Sequence, residues 1–412
     1  MSKTILGPKK LKTRFFLNPF YIFATIWVAI LLIHSLKLNT VYPPLAWQLW
    51  LFFLIVIITS FFFGYLYDRF YLRHFSLVLL GKDKPSYFLM VGCVLAFLLA
   101  VYANDKTLPL MGVLRGNPYA YNHFGIPTFT PMAISFTLAL NAVSSVKLMY
   151  GREHRLGNLI GVLVAFIIFF LSYSRGCLIV AGLTFAFVFF SRYRFSWASI
   201  LAIILLGILA MLAFNVLGNL RQQYAWNDST YIMNLSGFRY PNSILRYFSW
   251  SLVYLDTPLG NLAYNFKNVP PTYDIKGLLS QLLPDALGKR LFPGYDSALE
   301  LAQPALTVSS FWAGGYKFYG LLGMAVQYIE GVLAIFLLGK LTRDNTKLFL
   351  SVSAGMAMLC ALTFFDNTFT YSGFAFFVVL LVLSRIYKGK DNLSYDLNQI
   401  IDAVILCVAK EL

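Results

Sequence analysis

Apolar residues in this chain come in near-continuous runs, separated by short polar stretches and one long one. They neither alternate nor keep to one helix face. Each run is about 20 residues, which as a helix crosses roughly 30 Å of hydrocarbon. Runs fall at 20–36, 46–67, 86–103, 127–148, 157–173, 176–191, 197–218, 318–339, 346–365 and 369–387. The pattern predicts an all-α polytopic membrane protein of about ten transmembrane helices. It forms a single membrane domain over residues 1–412 with one large extracytoplasmic loop at 219–308.

The stretch from 157 to 191 decides the count. It is broken only at Ser172, Tyr173, Ser174, Arg175 and Gly176. As a helix it measures about 50 Å, too long for one crossing and barely enough for two. Arg152 and Arg155 precede it and Arg192 and Arg194 follow it. Basic residues collect on the cytoplasmic side, so both ends belong there and the chain turns outside at Arg175. A charge in so short a turn sits at or below the outer headgroups, where it is costly and marks a functional site by default. The alternative is a snorkelling arginine at the interface.

Other segments are short. Residues 104–126 form a second outer piece with Asp105, Lys106, Arg115 and His123, which glycines and prolines make irregular, as a lid or a plain connection. Inside the long loop, 243–255 reads as an aromatic-rich interfacial helix and Leu278 to Leu283 as another such piece. Glu330 lies inside the eighth run and is expected to be structural. The tail, 388–412, places Leu393, Leu397, Ile400, Ile401 and Val404 on one helix face, suited to the inner leaflet or to a partner.

Composition agrees with the pattern: 59% of residues are hydrophobic and only 12% charged. The net charge of +16 is explained by loops beside anionic headgroups, which excludes nucleic acid as the partner. With the N-terminus inside, most of the 33 Lys and Arg fall on the cytoplasmic side, so both termini are expected in the cytoplasm of a bacterial inner membrane. The basic start, Met1 to Asn18, is followed by no small-residue cleavage site, so the first run should remain as a helix. Cys93, Cys177 and Cys360 lie in apolar runs and Cys407 in the tail, which leaves the long loop without a disulfide framework. The histidines His34, His74, His123 and His154 are scattered. No metal-ligand spacing and no phosphate-binding glycine loop occurs, which argues against an ATPase or a dinucleotide-fold enzyme; no metal and no cofactor is expected.

What remains is an arginine-rich outer site. Breaking a glycosyl phosphate bond puts negative charge on the departing pyrophosphate, and guanidinium groups can hold that charge bidentately. Arg175, Arg221, Arg239, Arg246 and Arg290 are the candidate pyrophosphate-binding residues. The attacking hydroxyl needs a general base. Asp256 and Asp296 are the catalytic candidates, with Glu300 and Asp366 behind them.

Three stretches resemble one family: the Ser174-Arg175-Gly176 turn; the loop with GFRYPNSILRYFSW (237–250), DTPLGN (256–261) and LLPDALGKRLFPGYDSA (282–298); and ALTVSSFWAGGYKFYGLLG (305–323). Together they are similar to the oligosaccharide repeat unit polymerases, the Wzy family. The resemblance implies a metal-independent glycosyltransferase of the membrane-embedded C type. Such an enzyme moves a growing glycan from undecaprenyl pyrophosphate onto the next lipid-linked repeat unit at the outer face. It implies lipid-linked oligosaccharide and membrane lipid as partners, together with a Wzz-like chain-length regulator. An O-antigen ligase of the same scaffold and a lipid-linked oligosaccharide flippase are the rival readings. The absence of an internal repeat counts against a transporter.

Overall fold

The computed structural model describes residues 9–10, 14–73, 76–77, 85–104, 106–115, 124–126, 129–151, 153–193 and 197–386. A two-residue strand, β1 (Lys9–Lys10), pairs antiparallel with β2 (Ser76–Leu77). Everything else of regular structure is helical: α1 (Pro19–Ser35), α2 (Trp47–Tyr67), α3 (Tyr87–Ala103), the short α4 (Pro109–Leu114), α5 (Phe129–Tyr150), α6 (Arg155–Leu171), α7 (Arg175–Arg192) and α8 (Trp197–Arg221). The long polar segment holds α9 (Thr230–Ser236), α10 (Ser249–Asn268), α11 (Ile275–Leu282) and α12 (Asp285–Leu291). The chain ends in α13 (Ala313–Thr342), α14 (Thr346–Leu362) and α15 (Ser372–Ile386). A helix thus stands at each predicted apolar run. Those at Trp47–Leu72, Phe129–Tyr150 and Ala313–Thr342 are long and apolar enough to cross a membrane by length and composition. The expected tail, 388–412, and much of the segment 104–126 lie outside the described residues.

Which helices are central follows from their side chains. α14 is buried almost throughout, from Leu348 to Ala361, and α5 buries Ser135, Thr137, Asn141, Ser144 and Ser145. Small and hydroxyl-bearing residues let helix backbones approach closely and bond across the contact. Asn141 Nδ2 donates to Ala181 O of α7 at 3.0 Å, and Tyr67 pairs its hydroxyl with Ser353 at 3.1 Å. Around this centre α2, α3 and α13 turn Leu, Ile and Phe outward: Leu54 is 54% exposed, Leu95 60% and Leu333 64%. Apolar outside and small or polar inside is the arrangement a hydrocarbon solvent selects.

Midway along α1, aromatic residues lock helices that are distant in sequence. Trp27 stacks on Phe53 at 5.1 Å and meets Trp312 edge-on at 5.5 Å. Its indole N–H donates to Thr363 Oγ1 at 3.1 Å. This cluster ties α1 and α2 to the start of α13 and to the turn after α14.

The polar segment is anchored from below. α10 differs from the interfacial helix expected at 243–255: residues 244–248 form a 3-10 turn, and the helix that follows runs on to Asn268. It is buried from Asp256 to Ala263 and packs against α1 and α8. A run too short to span is thus a helix held inside protein, because its Thr, Asn and Gly positions bond or fit against neighbours. The second expected piece, Leu278 to Leu283, is the greater part of α11. Two asparagines of α10 hold the extended stretch that follows. Asn261 Nδ2 donates to Leu306 O at 3.0 Å and to Val308 O at 2.9 Å, and Asn265 Nδ2 donates to Glu300 O at 2.6 Å.

α13 is broken near its start. Tyr319 and Gly320 leave helical geometry, Gly320 with φ 60° and ψ −144°, a combination open to glycine alone. The break folds residues 313–318 back toward the helix that follows, and Gln327 Oε1 accepts from Gly315 N at 2.9 Å to hold them there.

Candidate functional site

Local chemistry brings α11 and α12 over the turn between α14 and α15. Asp274 caps α11, its Oδ1 accepting from Lys276 N at 2.9 Å and Gly277 N at 3.3 Å, as a helix N-cap should. Gly277 is needed because a Cβ there would collide with the Phe318 ring. Pro284 then ends the first short helix and starts the second. The first free N–H groups of α12 are spent on the facing turn: Asp285 N donates to Thr370 O at 2.8 Å and Ala286 N to Ser372 Oγ at 3.1 Å.

Between these parts lies a polar cleft of about 230 Å³. Asp285 and Lys289 enter it from α12, Asp296 from the loop, Ser309 and Ser310 from the approach to α13, and Asp366, Asn367 and Tyr371 from the turn. Two features mark it as more than a gap. Ser309 Oγ, Ser310 Oγ and Asn367 Oδ1 are buried with no hydrogen-bond partner among the described residues. Buried polar groups without partners are rare, and three lining one cleft fit a polar ligand. The second feature is a pair of carboxyl groups. Burial raises Asp366 to about 6, and neighbouring Asp285 pushes the same way against the Asn367 N–H that bonds its Oδ1 at 2.7 Å. Asp285 is itself raised by burial, with Lys289 and Thr370 opposing. A carboxyl group poised near neutrality in a cleft is suited to accept or donate a proton.

The structure separates the residues expected to act together. Asp296 lines the cleft and is exposed, its Oδ1 accepting from Ala298 N at 3.1 Å. Arg290 is exposed on α12, next to Lys289. Arg175 opens α7; the adjoining Gly176 backs onto Phe374 at the start of α15, so this turn abuts the Tyr371 wall, while the Arg175 side chain lies outside the described part. Asp256 does not line the cleft. It is buried, its Oδ1 2.6 Å from His34 Nδ1 and its Oδ2 accepting from Asn39 Nδ2 at 2.7 Å. With both oxygens occupied, its carboxylate links α1 to α10. Glu300 is exposed, and its backbone is held by Asn265.

Arg239 and Arg246 belong to a different region. Arg239 N donates to Leu38 O at 2.9 Å. Arg246 stacks over the Tyr247 ring at 4.6 Å and borders an open polar depression with Asp228, Asn234 and Asn242, which shares no residue with the cleft. Arg221 ends α8, its side chain outside the described part. Asp285, Lys289, Ser309 and Ser310 lie in stretches that carry the family resemblance, but neither they nor Asn367 stand out in the sequence as site residues. They stand up to 82 positions apart along the numbering, from 285 to 367, and only docking of α12 on the turn brings them together.

Among the described residues no group of three or more His, Cys, Asp or Glu is placed to hold a metal ion. No family model, curated protein or solved structure matches the chain, so its activity is argued from the cleft itself.

Proposed function

We propose that this chain is a membrane glycosyltransferase that polymerises lipid-linked oligosaccharide repeat units. It moves the growing glycan from undecaprenyl pyrophosphate to the next lipid-linked repeat at the outer face of a bacterial inner membrane. Ten spans with both termini in the cytoplasm put the cleft on that face, a placement that rests on the distribution of Lys and Arg. The observation that carries the reading is the cleft itself, in which the Asp285 and Asp366 carboxyls, a lysine and three unpartnered polar atoms converge at the end of an apolar bundle.

In this reaction the acceptor hydroxyl gives its proton to Asp366 as its oxygen bonds to the anomeric carbon. The bond from that carbon to the phosphate oxygen breaks, and its electron pair leaves with the pyrophosphate. Lys289, with Arg290 beside it on α12, supplies positive charge for the departing group. Burial, with the Asp285 charge adding to it, keeps the proton affinity of Asp366 high enough for it to act as a base near neutral pH. Ser309, Ser310 and Asn367 offer hydrogen bonds to sugar hydroxyls. The base assignment therefore moves from Asp256 and Asp296 to Asp366, with Asp296 at the rim.

Mass spectrometry of lipid-linked glycans from a deletion strain tests the reading. Single repeat units on the lipid acceptor, with no longer chains, support a polymerase. Long chains stranded on undecaprenyl pyrophosphate make it a ligase, and single units held on the cytoplasmic leaflet make it a flippase.

A further inference from the structure

Glu330 is the only charged residue between Lys317 and Lys340 on α13. Counted from the break at Gly320, it lies about 14 Å down a straight segment roughly 33 Å long, close to the middle of a helix apolar enough to cross a membrane. The residue is exposed, and among the described residues it makes no hydrogen bond or ion pair. Its neighbours Tyr328 and Gln327 both turn inward, Tyr328 to Ser60 of α2 at 2.8 Å and Gln327 to Gly315. Glu330 lies on the side opposite Tyr328, among Leu322, Leu333 and Leu337, which are 62%, 64% and 57% exposed. A carboxyl group in hydrocarbon without a partner costs about 2.5–3.5 kcal/mol, so such residues face protein or water.

We propose that this face of α13 is the contact between two copies of the chain, and that the two Glu330 side chains bond to each other across it. Val326, Glu330, Leu333 and Leu337 follow the four-three-four spacing of a two-helix seam. Copies inserted in one membrane share an orientation, so a two-fold axis along the membrane normal sets the α13 helices parallel and at equal depth. Glu330 then meets Glu330 of the second copy, and the two carboxyls, carrying at least one proton between them, bond to each other. No second kind of chain is needed to satisfy the group. A single polar residue in an otherwise apolar seam also fixes its register. The contact depends on the membrane placement and not on the glycan chemistry.

Cross-linking of the purified full-length chain in phospholipid vesicles tests this. Leu333→Cys should give an oxidative dimer, while Ile58→Cys, on the exposed face of α2, and the wild type should not. All of these variants, and the wild-type control, carry Cys407→Ser, and the remaining Cys93, Cys177 and Cys360 are buried. In energy-transfer measurements between labelled copies, Glu330→Leu should raise the dimer dissociation constant roughly threefold to twentyfold, the range for one interhelical hydrogen bond, with Glu330→Gln close to wild type. The leucine variant keeps the exposed surface apolar and should fold. A monomer at all protein-to-lipid ratios, equal cross-linking at 58 and 333, or an unchanged constant in Glu330→Leu each overturns the proposal.

Discussion

His34 Nδ1 lies 2.6 Å from Asp256 Oδ1, with both side chains buried. The contact joins the end of α1 to the middle of α10, residues 222 apart in the chain. Asn39 takes the second carboxylate oxygen, and Tyr42 pairs with Thr257 at 2.8 Å beside it. This group clamps the polar segment to the bundle and holds Asp256, a catalytic candidate in the sequence, away from the cleft.

Removing one member should therefore cost stability. Asp256→Ala leaves His34 and Asn39 buried without their acceptor, and truncating one partner of a buried pair of this kind costs about 3–5 kcal/mol. Thermal unfolding in detergent should show the loss, while turnover per folded molecule stays near wild type. A variant of full stability that has lost activity would return Asp256 to the active site.

Asp366→Asn should behave in the opposite way. The amide keeps the shape of the carboxyl group and cannot take a proton, so polymerisation in proteoliposomes should fall about 100-fold to 10,000-fold with the fold intact. Asp285→Asn should lose less, because Asp285 acts through its neighbour. Normal chain growth by Asp366→Asn would dismiss it as the base.

The acid pair also sets a pH dependence. Asp366 accepts a proton only when ionised, so activity should decline below about pH 6 and level off above it. Replacing Asp285 with Asn removes a charge that raises Asp366 and should shift this limb to lower pH. Stability runs the other way. Burial lifts Asp366 above its ordinary value of 3.8, so the fold favours the neutral form; that stabilisation is full below 3.8 and is lost as pH rises through about 6. Asp366→Asn, neutral throughout, should raise the melting temperature above pH 6 and hardly change it near pH 4. Initial rates and melting curves over the same pH range check both halves.

Gly320→Ala tests the break in α13. Alanine at φ 60° and ψ −144° is strained, at a cost of about 1–3 kcal/mol, and its methyl group would approach the Pro271 ring. The segment 313–318 carries Lys317, whose Nζ donates to Ala298 O at 2.8 Å, and it follows Ser309 and Ser310. Weaker acceptor binding should accompany the lower melting temperature. A stable variant with wild-type KM would separate the break from the cleft.

The positions of the helices were legible in the sequence. Near-continuous apolar runs of membrane length leave the backbone little choice, since a helix satisfies its own polar groups wherever it sits. The interruption at Ser172 to Gly176 was equally plain, and α6 ends at Leu171 and α7 begins at Arg175. Residue type also signalled that Asp366, at a short turn, was worth considering.

Burial and proximity were decided only by the tertiary structure. Asp256 and Asp296 are alike in sequence as single acids in one polar segment, yet one is enclosed by His34 and Asn39 and the other stands at the rim of a cleft. The distinction depends on α1 packing against α10, a contact between residues far apart in the chain. Asp285 meets Asp366 only because the first N–H groups of α12 bond to Thr370 and Ser372. A charge acquires its proton affinity from what surrounds it in space, and local sequence does not carry those surroundings.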